Sequence, residues 1–115
     1  MKISEQLLQC AAEVRKGWCQ NALIDNHGNV CAIGAMSRVL CGQAEGNCNR
    51  LPLMRYLWRS IGSDTTAYWN NAPGQTQENV AQAFELAAIL AEQDEARIGV
   101  SETMPECVEA VGVAR

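Results

Sequence analysis

The sequence predicts a mainly α-helical protein, a small bundle of about four helices with room for a minimal β-hairpin near residues 22–32. Three observations carry that reading. Apolar residues recur at helical spacing in four separate stretches. The stretches are punctuated by Gly17, Gly42, Gly62 and the Ala72-Pro73-Gly74 turn. The 115 residues, 48% hydrophobic and 19% charged, suffice for one core of globular composition.

The first helix is expected from Ser4 to Lys16. Ser4 is the expected N-cap, Glu5 suits the positive end of the helix dipole, and Gly17 supplies a left-handed stop. Ile3, Leu7, Leu8, Ala11, Ala12 and Val14 form its apolar stripe. After Trp18, the segments Ala22–Asp25 and Asn29–Ala32 flank Asn26-His27-Gly28, which reads as a turn between short apolar pieces. The second helix starts near Cys31 and runs to Leu40 or Cys41. Ile33, Met36, Val39 and Leu40 share a face, and Gly34 and Ala35 let another element approach. A polar loop follows to Arg50. The third helix begins at about Leu51, with Pro52 in its first turn, where a missing N–H does no harm, and closes at Gly62. Ser63 to Gln75 is expected to be a loop. Thr76 then caps the longest helix, which ends near Arg97 before Gly99. Residues 1–98 therefore read as one helical domain. Residues 99–115 read as a C-terminal tail with one short helix after Pro105, or a loosely held end.

The function classes narrow on charge and cysteine usage. Net charge is −4, with +3 in residues 1–60 and −7 in residues 61–115. Direct nucleic-acid binding is disfavoured, because phosphate contacts need a concentrated basic surface. Arg50, Arg55 and Arg59 form the one basic strip, which internal pairing or solvation explains as well. The charge imbalance has two readings: attraction between the halves, or an acidic face for a basic partner built from Glu85, Glu92, Asp94 and Glu95. Neither a signal-peptide pattern nor an apolar run long enough to span a membrane occurs, so a cytoplasmic chain with reduced thiols is expected.

Chemistry-bearing residues are few. His27 is the single histidine, and Cys31 is the thiol a Cys/His pair would use, since a helix N-terminus lowers a thiol pKa. A turn histidine beside a buried cysteine is the simpler reading. Cys19, His27, Cys31, Cys41 and Cys48 include zinc-ligand types, but no Cys-x-x-Cys pair occurs, so neither metal nor cofactor is expected. Trp18, Gln20, Cys31, Trp69, Asn70 and Asn71 group indoles with amides. Such a group either lines a pocket for a nucleotide-like ring or anchors loops by hydrogen bonds. Loop anchoring is the preferred reading.

Three blocks carry a resemblance. Gly17-Trp18-Cys-Gln20, then Cys31-Ala-Ile-Gly-Ala35, then Trp69-Asn-Asn71-Ala-Pro-Gly-Gln-Thr76 before an Ala-rich helix resemble a group of small uncharacterised proteins of bacteriophages, actinobacteria and other bacteria. The likeness covers roughly residues 4–92. The group's middle block is Cys-Ala-x-Gly-Ala and its third is Trp-Asn-Asp, where this chain has Asn71. The resemblance implies a phage or mobile-element setting and supplies no activity. Small acidic proteins of that setting commonly block host proteins. The resemblance thus makes a protein-binding inhibitor of a host protein or bacterial immune complex the leading expectation, acting in the host cytoplasm. A small-ligand module built on Trp18, Cys31 and Trp69 comes second, and a thiol enzyme using Cys31 third. Oligomeric state is left open.

Overall fold

The computed structural model describes the backbone of residues 1–101 and the side chains of residues 1–97. It is mainly helical, with five helices among the described residues: α1 (Ile3–Lys16), α2 (Ala32–Cys41), α3 (Leu51–Ile61), α4 (Thr66–Asn71) and α5 (Gln77–Ser101). The expected tail helix after Pro105 lies outside the described residues.

The core forms where α1 lies along α5, with α3 also packed on α5 and α2 on α1. On α1, Leu7, Cys10, Ala11 and Val14 are buried, at the spacing of one helical face. On α5, Val80, Ala81, Phe84, Ala87, Ala88 and Ala91 are buried at the same spacing. Four of those six are alanines, so α5 offers α1 a low surface into which Leu7 and Val14 settle. Met36, Leu53, Leu57 and Val30 are also fully buried.

The helix ends differ from the sequence expectation in two places. Ser4 is not the N-cap of α1. The cap is Lys2, whose amide donates to Glu5 Oε1 at 2.8 Å. Ser4 lies inside the helix, buried, and its amide and hydroxyl donate to Glu95 at 3.0 and 2.7 Å. A serine one turn from a partner helix thus serves a tertiary contact in preference to its own helix end. Gly17 follows α1 with φ 174°, which is extended backbone and not a left-handed stop. Position 17 needs glycine for space: a Cβ there would stand 2.0 Å from Asn29 Oδ1. Gly42 and Gly62, by contrast, do end α2 and α3 in the left-handed conformation.

The segment between α1 and α2 is held by single bridges rather than a regular hairpin. Val30 pairs in parallel with Trp18 and antiparallel with Ile24. Asp25 shapes the turn by accepting from the amides of His27 and Asn29 and from Asn29 Nδ2, each at 2.9 Å. Gly34 is where this segment meets α2. A Cβ there would stand 2.1 Å from Leu23 O, so the close approach expected at Gly34 is made by loop backbone.

Two further expectations are corrected. Thr66–Asn71, expected within a loop, is helical. Six residues show too little periodicity to register as a helix, and tertiary bonds hold them: Trp58 Nε1 donates to Thr66 Oγ1 at 3.0 Å, and Asn70 is buried. Thr76 does cap α5, accepting from Asn79 N at 3.1 Å, but α5 continues past Arg97 to Ser101.

Candidate functional site

Asn70 is the centre of the Trp/Asn cluster. It is 1% exposed, and α4 directs it against the start of α2 and the loop after α1. Its Oδ1 accepts from Trp18 Nε1 at 2.9 Å and from Ala32 N at 3.0 Å. Its Nδ2 donates to Cys19 O at 3.2 Å and to Asn71 Oδ1 at 2.9 Å. A carboxamide offers two donors and two acceptor lone pairs, so this side chain is fully used. Ala32 N is also one of the first amides of α2, which have no partner inside the helix. One side chain therefore joins three elements.

The neighbouring amides reinforce it. Asn71 Oδ1 accepts a second bond from Asn21 N at 2.8 Å, and Asn21 holds a left-handed φ of 67°. That conformation is uncommon outside glycine and is most easily met by asparagine and aspartate. Gln20 Nε2 donates to Asn70 O and Ala72 O at 3.0 and 3.1 Å. Gln75 Nε2 donates to Trp69 O at 2.9 Å, and Trp69 is half-buried against the core. Trp18, Gln20, Asn70 and Asn71 thus meet through hydrogen bonds to one another and to loop backbone.

Cys31 sits at the N-cap of α2, buried, with Sγ accepting from Gly34 N at 3.3 Å. His27 is exposed at the tip of the Asp25 turn, and no hydrogen bond joins it to Cys31 among the described residues. Burial raises the thiols of Cys10 and Cys19 above the ordinary range, with Glu13 adding at Cys10 and Cys31 and Asp25 at Cys19. Among the described residues, no group of three Cys, His, Asp or Glu side chains is gathered as a metal site.

Beside this hydrogen-bonded cluster, which clamps the loop after α1 to α2 and α4, lies a half-open recess of about 220 Å3. Ala22, Leu23, Cys31, Ile33 and Ala67 line it together with Asn70 and Asn71. Trp18, Gln20 and Trp69 are not among its walls. Tyr68, one residue on from Ala67, is 82% exposed, and Leu23 is exposed as well. Residue-type reasoning missed Leu23, Ile33 and Ala67, because single apolar residues on three elements carry no spacing signal.

The acidic set has a different setting. Glu85 and Glu78 both pair with Arg15 of α1. Asp94 accepts from Tyr56 Oη at 2.9 Å and pairs with Arg59 at 3.1 Å and with Arg97. Glu95 takes both bonds from Ser4. Glu92 alone of the four expected acids is exposed without such a bond among the described residues. The arginine strip is similarly engaged: Arg59 pairs with Asp94 and lies over the Tyr56 ring, Arg50 donates to Ser37 Oγ at 2.9 Å, and Arg55 is exposed.

These features define a small helical protein with a hydrogen-bonded loop clamp bordering an apolar recess. A model of a family of unknown function, DUF6197, matches residues 2–90, and the chain belongs to that family. No curated protein and no solved structure matches the chain. No helix among the described residues is long and apolar enough to cross a membrane.

Proposed function

We propose that this chain is a small accessory protein that works by binding another protein through the recess between the 22–33 segment and α4. In the bacteriophage or mobile-element setting that its sequence blocks resemble, it acts as an inhibitor of a host protein or bacterial immune complex. The observation that carries the docking reading is the chemistry of the recess. Leu23, Cys31, Ile33 and small alanines make up most of its lining, and of the two amides that join them Asn70 is fully committed to the clamp and Asn71 is committed through its Oδ1. Ligand pockets commonly span roughly 300–1,000 Å3 and aim a few free polar groups at the ligand. A recess of about 220 Å3 suits one apolar side chain of a partner, with exposed Tyr68 as an aromatic neighbour. The net charge of −4 favours a partner with a basic rim. This places the weight on the recess ahead of the acidic residues of α5, three of which are held by contacts within the fold.

The test is capture from host lysate with the wild type, Ala67→Arg and Glu92→Lys. Ala67 is exposed, so arginine there fills the recess without entering the core. The expected result is one partner retained by the wild type and by Glu92→Lys and lost with Ala67→Arg. Retention by Ala67→Arg with loss in Glu92→Lys would move the site to α5. A nucleotide that stabilises the wild type in a thermal-shift panel, and fails to stabilise Ala67→Arg, would favour the small-ligand reading.

A further inference from the structure

The loop between α2 and α3 holds a pair of thiols that neither the clamp nor the recess uses. Cys41 is the last residue of α2 and is exposed, whereas Cys48 is half-buried. Their Sγ atoms lie 3.2 Å apart, and both are free thiols.

Two neighbours build this arrangement. A Cβ on Gly46 would stand 2.1 Å from Cys41 Sγ, so the loop closes over that sulfur because position 46 has no side chain. Arg50 stands at the N-cap of α3 and donates through Nη1 to Ser37 Oγ at 2.9 Å and to Gly46 O at 3.5 Å. Cys41 Sγ contacts the same Ser37 through its carbonyl at 3.2 Å. The guanidinium is therefore fixed beside the sulfurs. Its Nε is buried without a hydrogen-bond partner among the described residues. Two free thiols held in contact in this way are placed to join once one of them is oxidised.

We propose that Cys41 and Cys48 are a redox-reactive dithiol that closes to an intramolecular disulfide on meeting hydrogen peroxide or a related peroxide. One thiolate attacks the O–O bond, takes one oxygen as a sulfenic acid and releases water after protonation. The second thiol attacks the sulfenic sulfur, the S–O bond breaks, and a second water leaves. Two thiols lose two electrons and two protons, and one peroxide becomes two waters. The product ties the end of α2 to the approach of α3.

The order of the two sulfurs follows from their surroundings. Cys41 Sγ donates to Cys48 Sγ, so Cys48 is the accepting sulfur of the pair, and that hydrogen bond holds the Cys41 thiol above its ordinary range against the opposing effects of Gln43 and Arg50. Cys41 therefore keeps its proton and acts second, as the resolving thiol. Cys48 takes the oxygen.

The test treats the full native chain with stepwise hydrogen peroxide, followed by alkylation and peptide mass mapping. The expected product is a Cys41–Cys48 disulfide, lighter by two hydrogen atoms, formed while Cys10, Cys19 and Cys31 remain alkylatable after unfolding. In Cys41→Ser the sulfenic acid on Cys48 persists and is trapped by dimedone, which finds no such adduct in the wild type. In Gly46→Ala the displaced Cys41 sulfur slows disulfide formation while the melting temperature of the reduced protein is retained. Sulfinic acid at Cys48 of the wild type would overturn the proposal. A disulfide from either thiol to another cysteine, or oxidation no faster than that of buried Cys10, would also overturn it. None of these readouts depends on the docking partner.

Discussion

Asn70 and Asn71 are adjacent, identical in chemistry and unequal in role. Asn70 uses both ends of its amide, whereas the bonds of Asn71 fall on Oδ1, which accepts from Asn70 and Asn21. A carboxylate can replace an acceptor and cannot replace a donor. Asn71→Asp is therefore expected to melt close to the wild type, within about 0.5 kcal/mol. Asn70→Asp turns an oxygen toward Cys19 O and Asn71 Oδ1, and Asn70→Ala leaves Trp18 Nε1, Ala32 N and Cys19 O without that partner. Unpaired buried groups cost about 1–3 kcal/mol each, so either Asn70 variant should lose about 3 kcal/mol or more in chemical denaturation. Equal stability of the Asn70 and Asn71 variants would remove Asn70 from the centre of the cluster. The sequence brought Trp18, Gln20, Asn70 and Asn71 under one heading because indoles and amides seek partners. The unequal division of labour depended on the turn of α4, which six residues of sequence do not announce.

At the scale of elements, the legible helices were those with long apolar stripes. α2 and α3 fall where Gly42, Gly62 and Pro52 put them. α4 was hidden because its stability comes from Trp58, Thr66 and Asn70 across the fold. Ser4 was misread as a cap because the local rule for serine competes with a carboxylate arriving from α5. Charged side chains also join elements. Glu13 of α1 accepts from Arg38 of α2 at 3.1 Å and from Lys16 at 2.9 Å. Burial raises the Glu13 carboxyl, but the hydrogen bonds from Lys16 and Arg38 outweigh it and hold the group below its ordinary range. A carboxylate with a depressed folded pKa stabilises in full above its unfolded value of about 4.3 and loses that contribution as pH falls through the folded value. Glu13→Gln should accordingly cost about 1 kcal/mol at pH 7, an amount set by a half-exposed ion pair. The gap to wild type should close on acidification below about pH 4. Melting curves across that range check it, and a gap independent of pH would assign the loss to packing instead.

For the whole molecule, part of the charge asymmetry of the sequence is met within the fold among the described residues. Arg15 meets Glu78 and Glu85, and Arg59 meets Asp94, so basic groups of the first half face acidic groups of the second. That was one of the two readings the composition allowed, and only coordinates could decide how many acids it consumed. The recess, by contrast, was beyond the sequence. Leu23, Ile33 and Ala67 converge because Gly34 lets the loop backbone reach α2 and Asn70 draws α4 to the same place. The clamp is thus the frame on which the proposed docking surface depends. Its integrity is read most directly from hydrogen exchange at the Trp18 indole in the free protein, followed by NMR beside the core amides of α1 and α5. An indole bonded to Asn70 in a fully satisfied cluster opens only with the fold, so its Nε1–H should exchange as slowly as the Leu7 and Phe84 amides. Exchange of that proton at the rate of a solvent-exposed indole, with the core amides still protected, would contradict the clamp and return the cluster to the role of an open ligand site.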